Sequence, residues 1–203
     1  MEIITIEYLK EIGACLESQA YFIEKNKKQD ALVWLHDLIA DNQLDWANCF
    51  ICKVFIREQQ IKYAIFAAEQ VIGIFEEKYP DDKRPRQAIE AARLCLDHDK
   101  SSAEASAEAG ASARFAVNAA TNAAAASAAS AASTAAGANN SAMRTALYAA
   151  AAAMNAATSY GANAASMNAA TSDGVFDVRV TRAESAKMLK KILEYGFSLL
   201  EKA

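Results

Sequence analysis

The sequence predicts an all-α protein, in which an amphipathic helical front packs with tightly packed Ala-rich helices and a C-terminal docking helix. Three observations carry this. Apolar residues recur at helical spacing through residues 1–100, residues 101–171 are roughly half alanine, and two Ser/Thr-x-x-Glu pairs stand where new helices should open. The chain reads as a single helical domain over residues 1–203, divided into 1–100, 101–172 and 173–203.

In the front, Ile6, Leu9, Ile12 and Leu16 form one helical stripe behind Thr5, which serves as N-cap. Asp30 precedes Leu32, Leu35, Leu38 and Ile39 in the same way, and Asp45 precedes Cys49, Phe50 and Phe55. A longer stripe follows through Ile61, Ile65, Ala68, Ile72 and Phe75, with Lys62, Glu69, Glu76 and Glu77 largely opposite. No convincing strand interrupts this series. Pro80 and Pro85 bracket a turn that separates this helix from the next, Arg86 to Leu96.

Ser101 and Glu104 have capping-box spacing and open the alanine tract, whose only charges are Glu104, Glu108, Arg114 and Arg144. Alanine has the best helix propensity but buries little area, so such helices are held by close backbone packing. Gly137 to Ser141 is the best break, giving two antiparallel helices; one very long helix is the other reading. Asn-Ala-Ala-Thr recurs at Asn118, Asn155 and Asn168, as a local duplication or as low-complexity drift. Val175 to Val180 alternates like a short strand, without an evident partner. Thr181 and Glu184 then open a final helix with Met188, Leu189, Ile192, Leu193 and Leu200 on one face, expected to dock on the front.

A net charge of −4 and a pI near 5.3 give no electrostatic reason to expect nucleic acid. No segment has the sustained bulky hydrophobicity of a membrane span, because Asn118, Asn122, Arg144 and Asn155 interrupt the alanine tract. Cys15, Cys49, Cys52 and Cys95 lie within apolar helical patterns of a chain with no secretory leader. The expectation is reduced thiols in a cytoplasmic protein.

Cys49-Phe50-Ile51-Cys52 has C-x2-C spacing but lacks a second pair of ligands, and His36 and His98 are the only histidines. No metal and no cofactor is expected. Cys95, Asp97 and His98 share one helix turn, where nucleophile and base seldom align. Adjacent acids at Glu76-Glu77 and Asp81-Asp82 point apart and read as solvated faces and caps. Catalysis is not expected.

The densest run is Phe75-Glu76-Glu77-Lys78-Tyr79-Pro80-Asp81-Asp82-Lys83-Arg84-Pro85-Arg86, followed by Gln87-Ala88-Ile89-Glu90-Ala91-Ala92-Arg93. With Ala67 to Ile72 before it and alanine-rich sequence after it, this run resembles an all-helical family of immunity proteins of the polymorphic-toxin kind, found in bacteria and phages. The family pattern is a helix ending in Phe-Glu, a Pro-x-Asp-x-Arg-Pro-Arg turn, an Ala-Ile-Glu-Ala-x-Arg helix and a tail of Ala-Ala-rich helices. All four parts stand here in order. Leu9, Ala14-Cys15 and Asp45-Trp46 are similar to the family's amino-terminal helices. The tail departs from the pattern, with mostly Asn, Ser and Thr where aromatic, histidine and charged insertions are usual.

The resemblance implies a non-catalytic cytoplasmic protein that binds a toxin or other effector and occupies its surface. It carries over no catalytic residue. The candidate partner-binding residues are Asp81, Asp82, Lys83, Arg84, Arg86 and Arg93. Two readings of the turn stand side by side: arginines that lock two helices through carbonyls or Asp81 and Asp82, and guanidinium groups that clamp an acidic patch or phosphate on a partner. A nucleotide-like ligand held by Arg84, Arg86 and Arg93, and self-association into a homo-oligomer through the Ala-rich helices, are the alternative functions.

Overall fold

Thr5 lies in extended backbone and its hydroxyl accepts the N–H of Tyr8 at 3.2 Å, so the chain turns helical at Ile6. The computed structural model describes residues 3–25, 29–96, 131 and 178–202. Among these residues the protein is all-α. Its helices are α1 (Ile6–Glu11), α2 (Leu16–Lys25), α3 (Ala31–Ala40), α4 (Leu44–Val54), α5 (Arg57–Glu69), α6 (Ile72–Lys78), α7 (Arg84–Leu94) and α8 (Val178–Glu201). A two-residue antiparallel ladder, β1 (Ile3–Ile4) with β2 (Gln29–Asp30), pins the amino terminus beside α3. That ladder is too short for strand alternation to show in sequence.

The first stripe is two helices rather than one. Gly13 adopts φ +72°, its N–H bonds the Lys10 carbonyl, and Ala14 N–H reaches back to Leu9 at 2.9 Å. This is a Schellman termination, with glycine where the left-handed conformation costs least. Leu9 is buried, whereas Leu16 starts α2 and is 78% exposed. Asn42 ends α3 in the same manner at φ 57°, with Gln43 N–H bonded to Leu38 at 2.8 Å. Asp30 caps α3 as expected, accepting from Leu32 N–H at 2.8 Å. Asp45 falls inside the first turn of α4 and is not its cap.

The long stripe is also divided. Ile61, Ile65, Ala68, Ile72 and Phe75 are all buried, but the helix tightens at Gln70 and Val71, where Val71 N–H bonds Ala68 and Ile74 N–H bonds Val71. These i to i+3 bonds end α5 and restart the chain as α6 without disturbing the apolar face. Between α4 and α5, Phe55 is extended and Gln59 Oε1 accepts the Ile56 N–H at 3.0 Å. Gln59 Nε2 also donates to the Leu199 carbonyl at 2.9 Å, tying α5 to the end of α8.

Helix α8 starts at Val178, so Val178 to Val180 are helical rather than strand, and the Thr181–Glu184 pair lies inside the helix. Without a partner strand, β-branched preference does not hold an extended segment. The helix docks on α3, α4 and α5. Leu189, Ile192 and Leu193 are buried there, and burial of each contributes about 1.5–3 kcal/mol. Tyr195 stacks on Phe66, with ring centroids 4.0 Å apart.

Ala131, the described residue of the alanine tract, is helical and buried with the core. The Ser101–Glu104 cap, the 137–141 break and the Asn-Ala-Ala-Thr repeats lie outside the described residues. No helix among the described residues is long and apolar enough to cross a membrane.

Two glycines test the packing in opposite directions. A Cβ at Gly196 would stand 2.7 Å from Ile51 Cδ1 and 2.8 Å from Tyr63 Cε2, whereas one at Gly73 would meet nothing within 4 Å. Gly196→Ala should therefore lower the unfolding free energy by about 1–2 kcal/mol despite its gain in helix propensity, while Gly73→Ala should raise it by about 0.5–1 kcal/mol. Urea denaturation followed by circular dichroism reads both; stabilisation by both substitutions would contradict the packing of α8.

Candidate functional site

Helix α6 closes at Tyr79, whose N–H bonds Phe75 at 2.8 Å, and Asp82 N–H bonds Tyr79 at 3.1 Å to form the turn. Lys83 has no side-chain capping bond, so Asp82 supplies the acceptor. Its Oδ1 accepts the Arg84 backbone N–H at 3.1 Å and Nε–H at 2.9 Å, and its Oδ2 accepts Nη2–H at 2.7 Å. The helix consequently begins at Arg84 and ends at Leu94, two residues earlier at each end than the Arg86 to Leu96 expected. Arg84 stands in the first turn, and Pro85 is buried beside it, where its missing N–H costs nothing.

Arg86 makes the tie across the turn. Its Nε–H donates to Glu76 Oε1 at 2.8 Å and its Nη2–H to Glu76 Oε2 at 2.6 Å, a two-pronged pair between α6 and α7. The Arg86 guanidinium holds the Glu76 carboxyl below its ordinary value, and Glu76 in turn raises Arg86. Arg84 lowers Asp82 by the same kind of hydrogen bond. Farther along α7, Arg93 Nη2–H donates to Glu69 Oε1 of α5.

These pairs form a ladder that sequence reasoning missed. Glu69 and Glu76 are seven residues apart on one side, and Arg86 and Arg93 are seven apart on the other. An antiparallel hairpin folded at the proline turn faces Glu69 with Arg93 and Glu76 with Arg86. Read that way, the spacing was legible. Treating Glu76-Glu77 as a solvated pair hid it: Glu76 is engaged, while Glu77 is exposed.

All six candidate residues lie on the turn or on α7. Arg84 and Asp82 engage each other, Arg86 and Arg93 engage carboxylates of the preceding helices, and Asp81 and Lys83 are exposed at the tip. The turn is thus a charge-matched corner rather than a converging cluster of cations.

Elsewhere, the C-x2-C thiols are separated in function by burial. Cys52 is buried, donates weakly to Asn48 Oδ1 at 3.9 Å, and is pushed far up by desolvation. Cys49 is half-buried and is also raised by burial. Such thiols resist forming the thiolate that metal binding or nucleophilic attack requires. No group of three or more His, Cys, Asp or Glu side chains suited to a metal occurs among the described residues. Cys95 donates to the Ala91 carbonyl at 3.6 Å, and Asp97 and His98 lie outside the described residues.

Residues 52–173 match the family model described as Imm-5 like putative immunity protein. The chain belongs to this family. The match covers more than half of the chain, beginning at the end of α4 and including α5, α6, the proline turn and α7. Leu9, Ala14, Cys15, Asp45 and Trp46 lie outside the matched residues. No curated protein and no solved structure matches the chain.

The two arginines of this immunity-family turn should separate in a stability assay. Arg86→Lys keeps the charge but loses the fork, and should cost about 1 kcal/mol, discounted from a buried charge-assisted pair because both partners are partly solvated. Arg84→Lys should leave the urea midpoint close to wild type, since its bonds span only two residues. Equal losses from both would contradict this division.

The Glu76 contribution also has a pH signature. Its folded value lies below the unfolded one near 4.5, so its stabilisation is complete above that value and fades as pH falls through the folded value. The stability gap between wild type and Glu76→Gln should narrow from about pH 6 to about pH 3. A gap that stays constant or widens in urea titrations across that range would remove the ion pair as its source.

Proposed function

We propose that this immunity-family protein neutralises an effector by direct binding, occupying a surface rather than performing chemistry. The exposed tip of the proline turn makes the contact: Asp81, Lys83 and Arg84, with Arg93 farther along α7. Asp82 and Arg86 hold the shape of the corner. The carrying observation is that the turn lies within the family-matched residues while presenting exposed charges of both signs, among which Arg84 is held by Asp82.

A charge-matched corner suits a protein surface of alternating potential, where complementarity selects the partner and steers encounter. It does not suit a nucleotide. Arg84, Arg86 and Arg93 each already engage a carboxylate, so a phosphate would have to displace Asp82, Glu76 and Glu69. The same pairing makes Arg84 preorganised, which lowers the ordering cost of contact.

The test is a tagged full-length chain used as bait in cells of its source, followed by growth assays of the captured partner with and without the chain. The expected result is one effector whose expression arrests growth and whose toxicity the wild-type chain relieves. Lys83→Glu with Arg84→Glu should weaken capture at least about tenfold, as expected for contacts near the centre of an interface, without lowering the melting temperature. A nucleotide co-purifying in place of protein, or full protection by the double variant, would overturn the assignment.

A further inference from the structure

Helix α2 carries apolar residues on two opposite faces. Inward, Phe22 joins the core, and Ser18 lines a cavity of about 130 Å³ with Leu9, Trp34, Trp46, Cys49 and Phe50. Outward, Leu16, Ala20 and Ile23 recur at i, i+4 and i+7 and stand in one row on the far side of the helix. Leu16 is 78% and Ile23 62% exposed, and Ala20 between them is exposed as well. Single apolar residues on a surface need no explanation, but a row of them along the outer face of a helix that already buries its other face does.

This row takes no part in holding α2. Phe22 meets Trp34 edge to face at 5.1 Å, and Tyr21 packs against Trp34 and Trp46 at 5.7 and 5.6 Å. The Tyr21 hydroxyl donates to Asp41 Oδ2, which also accepts Lys25 Nζ at 2.7 Å. The inner face therefore fixes the helix, and its outer face is left to water.

Charge decides what can cover that face. Glu17 and Glu24 run along one border of the row, exposed and in no ion pair among the described residues, whereas Lys25 is taken up by Asp41. Two copies of α2 packed antiparallel about a two-fold axis would set Glu17 of one copy against Glu24 of the other, where like charges repel. A nucleic acid or an anionic lipid surface is disfavoured by the same carboxylates. The shape narrows the choice further, because a convex ridge about 10 Å long with a small residue at its centre lets another helix approach closely along it.

We propose that the outer face of α2 docks a cationic amphipathic helix of a protein partner, whose apolar stripe covers Leu16, Ala20 and Ile23 and whose lysine or arginine side chains meet Glu17 and Glu24. The surface lies outside the family-matched residues 52–173, and the proposal is independent of the effector contact at the turn.

Two synthetic peptides of about 18 residues, long enough to become helical on docking, test it on the full-length protein. Both carry leucine at i, i+4 and i+7 spacing; one has lysine and the other glutamate along the border. In about 0.15 M salt, where charges farther apart than about 8 Å are screened, fluorescence anisotropy should show saturable binding of the lysine peptide, at least about tenfold tighter than the glutamate peptide. Leu16→Ser with Ile23→Ser should weaken the lysine peptide at least about tenfold and leave the melting temperature close to wild type, since both side chains are exposed. Glu17→Lys with Glu24→Lys should reverse the preference, whereas Glu184→Lys with Glu201→Lys, an equal change of net charge on α8, should keep it. The proposal fails if neither peptide saturates, if the serine variant binds as tightly as wild type, or if the α8 reversal acts like the α2 reversal. A wild-type dimer in sedimentation velocity that the serine variant abolishes would also overturn it, because the occupant would then be a second copy of the chain.

Discussion

Tyr63 is the side chain on which the helical packing turns. It is fully buried in α5, its hydroxyl donates to Asn48 Oδ1 of α4 at 2.9 Å, and its ring meets Phe55 edge to face at 5.5 Å. Burial raises its ionisation well above the ordinary phenol range, which favours the protonated, donating hydroxyl. Against the Cδ2–Cε2 edge of the ring lies Gly196, where α8 comes too close for a side chain. One residue therefore satisfies a buried amide, fills the α4–α5 interface and sets the approach of the docking helix. A large ring with one polar end does this where an aliphatic residue would remove the stronger donor to Asn48 Oδ1, which the weak Cys52 thiol donor does not replace.

Much of this architecture was legible where a local rule and the tertiary structure agree. Thr5 and Asp30 cap the helices they were expected to cap, and the stripe from Ile61 to Phe75 is buried along its whole length. Periodicity failed to find boundaries. The apolar spacing runs without interruption from Ile65 through Ala68 to Ile72, so the tightening at Val71 leaves no mark on the pattern. Leu16 continued a stripe only numerically, because Gly13 had already turned the chain and exposed it. Gly13 and Asn42 are residue types suited to positive φ, and each was a readable stop signal that the hydrophobic pattern overshadowed.

At the candidate site, the sequence located the segment but not the partners. Asp82 and Arg84 are neighbours, and their pairing follows from short range alone. The Arg86–Glu76 and Arg93–Glu69 pairs depend on antiparallel register, which becomes visible only when the proline turn is treated as a fold point. The aromatic cluster of Tyr21, Trp34 and Trp46 was beyond reach for a stronger reason. Tyr21, Trp34 and Trp46 lie on three helices, and nothing in local spacing says that their rings converge.

The family-matched residues and the cavity occupy different parts of the chain, and the packing explains how they stay connected. The match begins at Cys52, on the helix that also carries Trp46, Cys49 and Phe50 of the cavity wall. Helix α4 thus has two obligations: Asn48 and Ile51 face Tyr63 and Gly196, while Trp46, Cys49 and Phe50 line the cavity. A helix presents different residues around its circumference, so both can be met at once, provided that α4 stays rigid. The buried Asn48–Tyr63 bond supplies that rigidity from the α5 side, and the Tyr21 cluster supplies it from the α2 and α3 side. The charged corner lies one helix farther on, joined to α5 by Glu69 and Arg93. A change of packing at α4 would therefore have to pass through α5 to reach the turn, and the fully buried Tyr63 is the side chain placed to transmit or resist it.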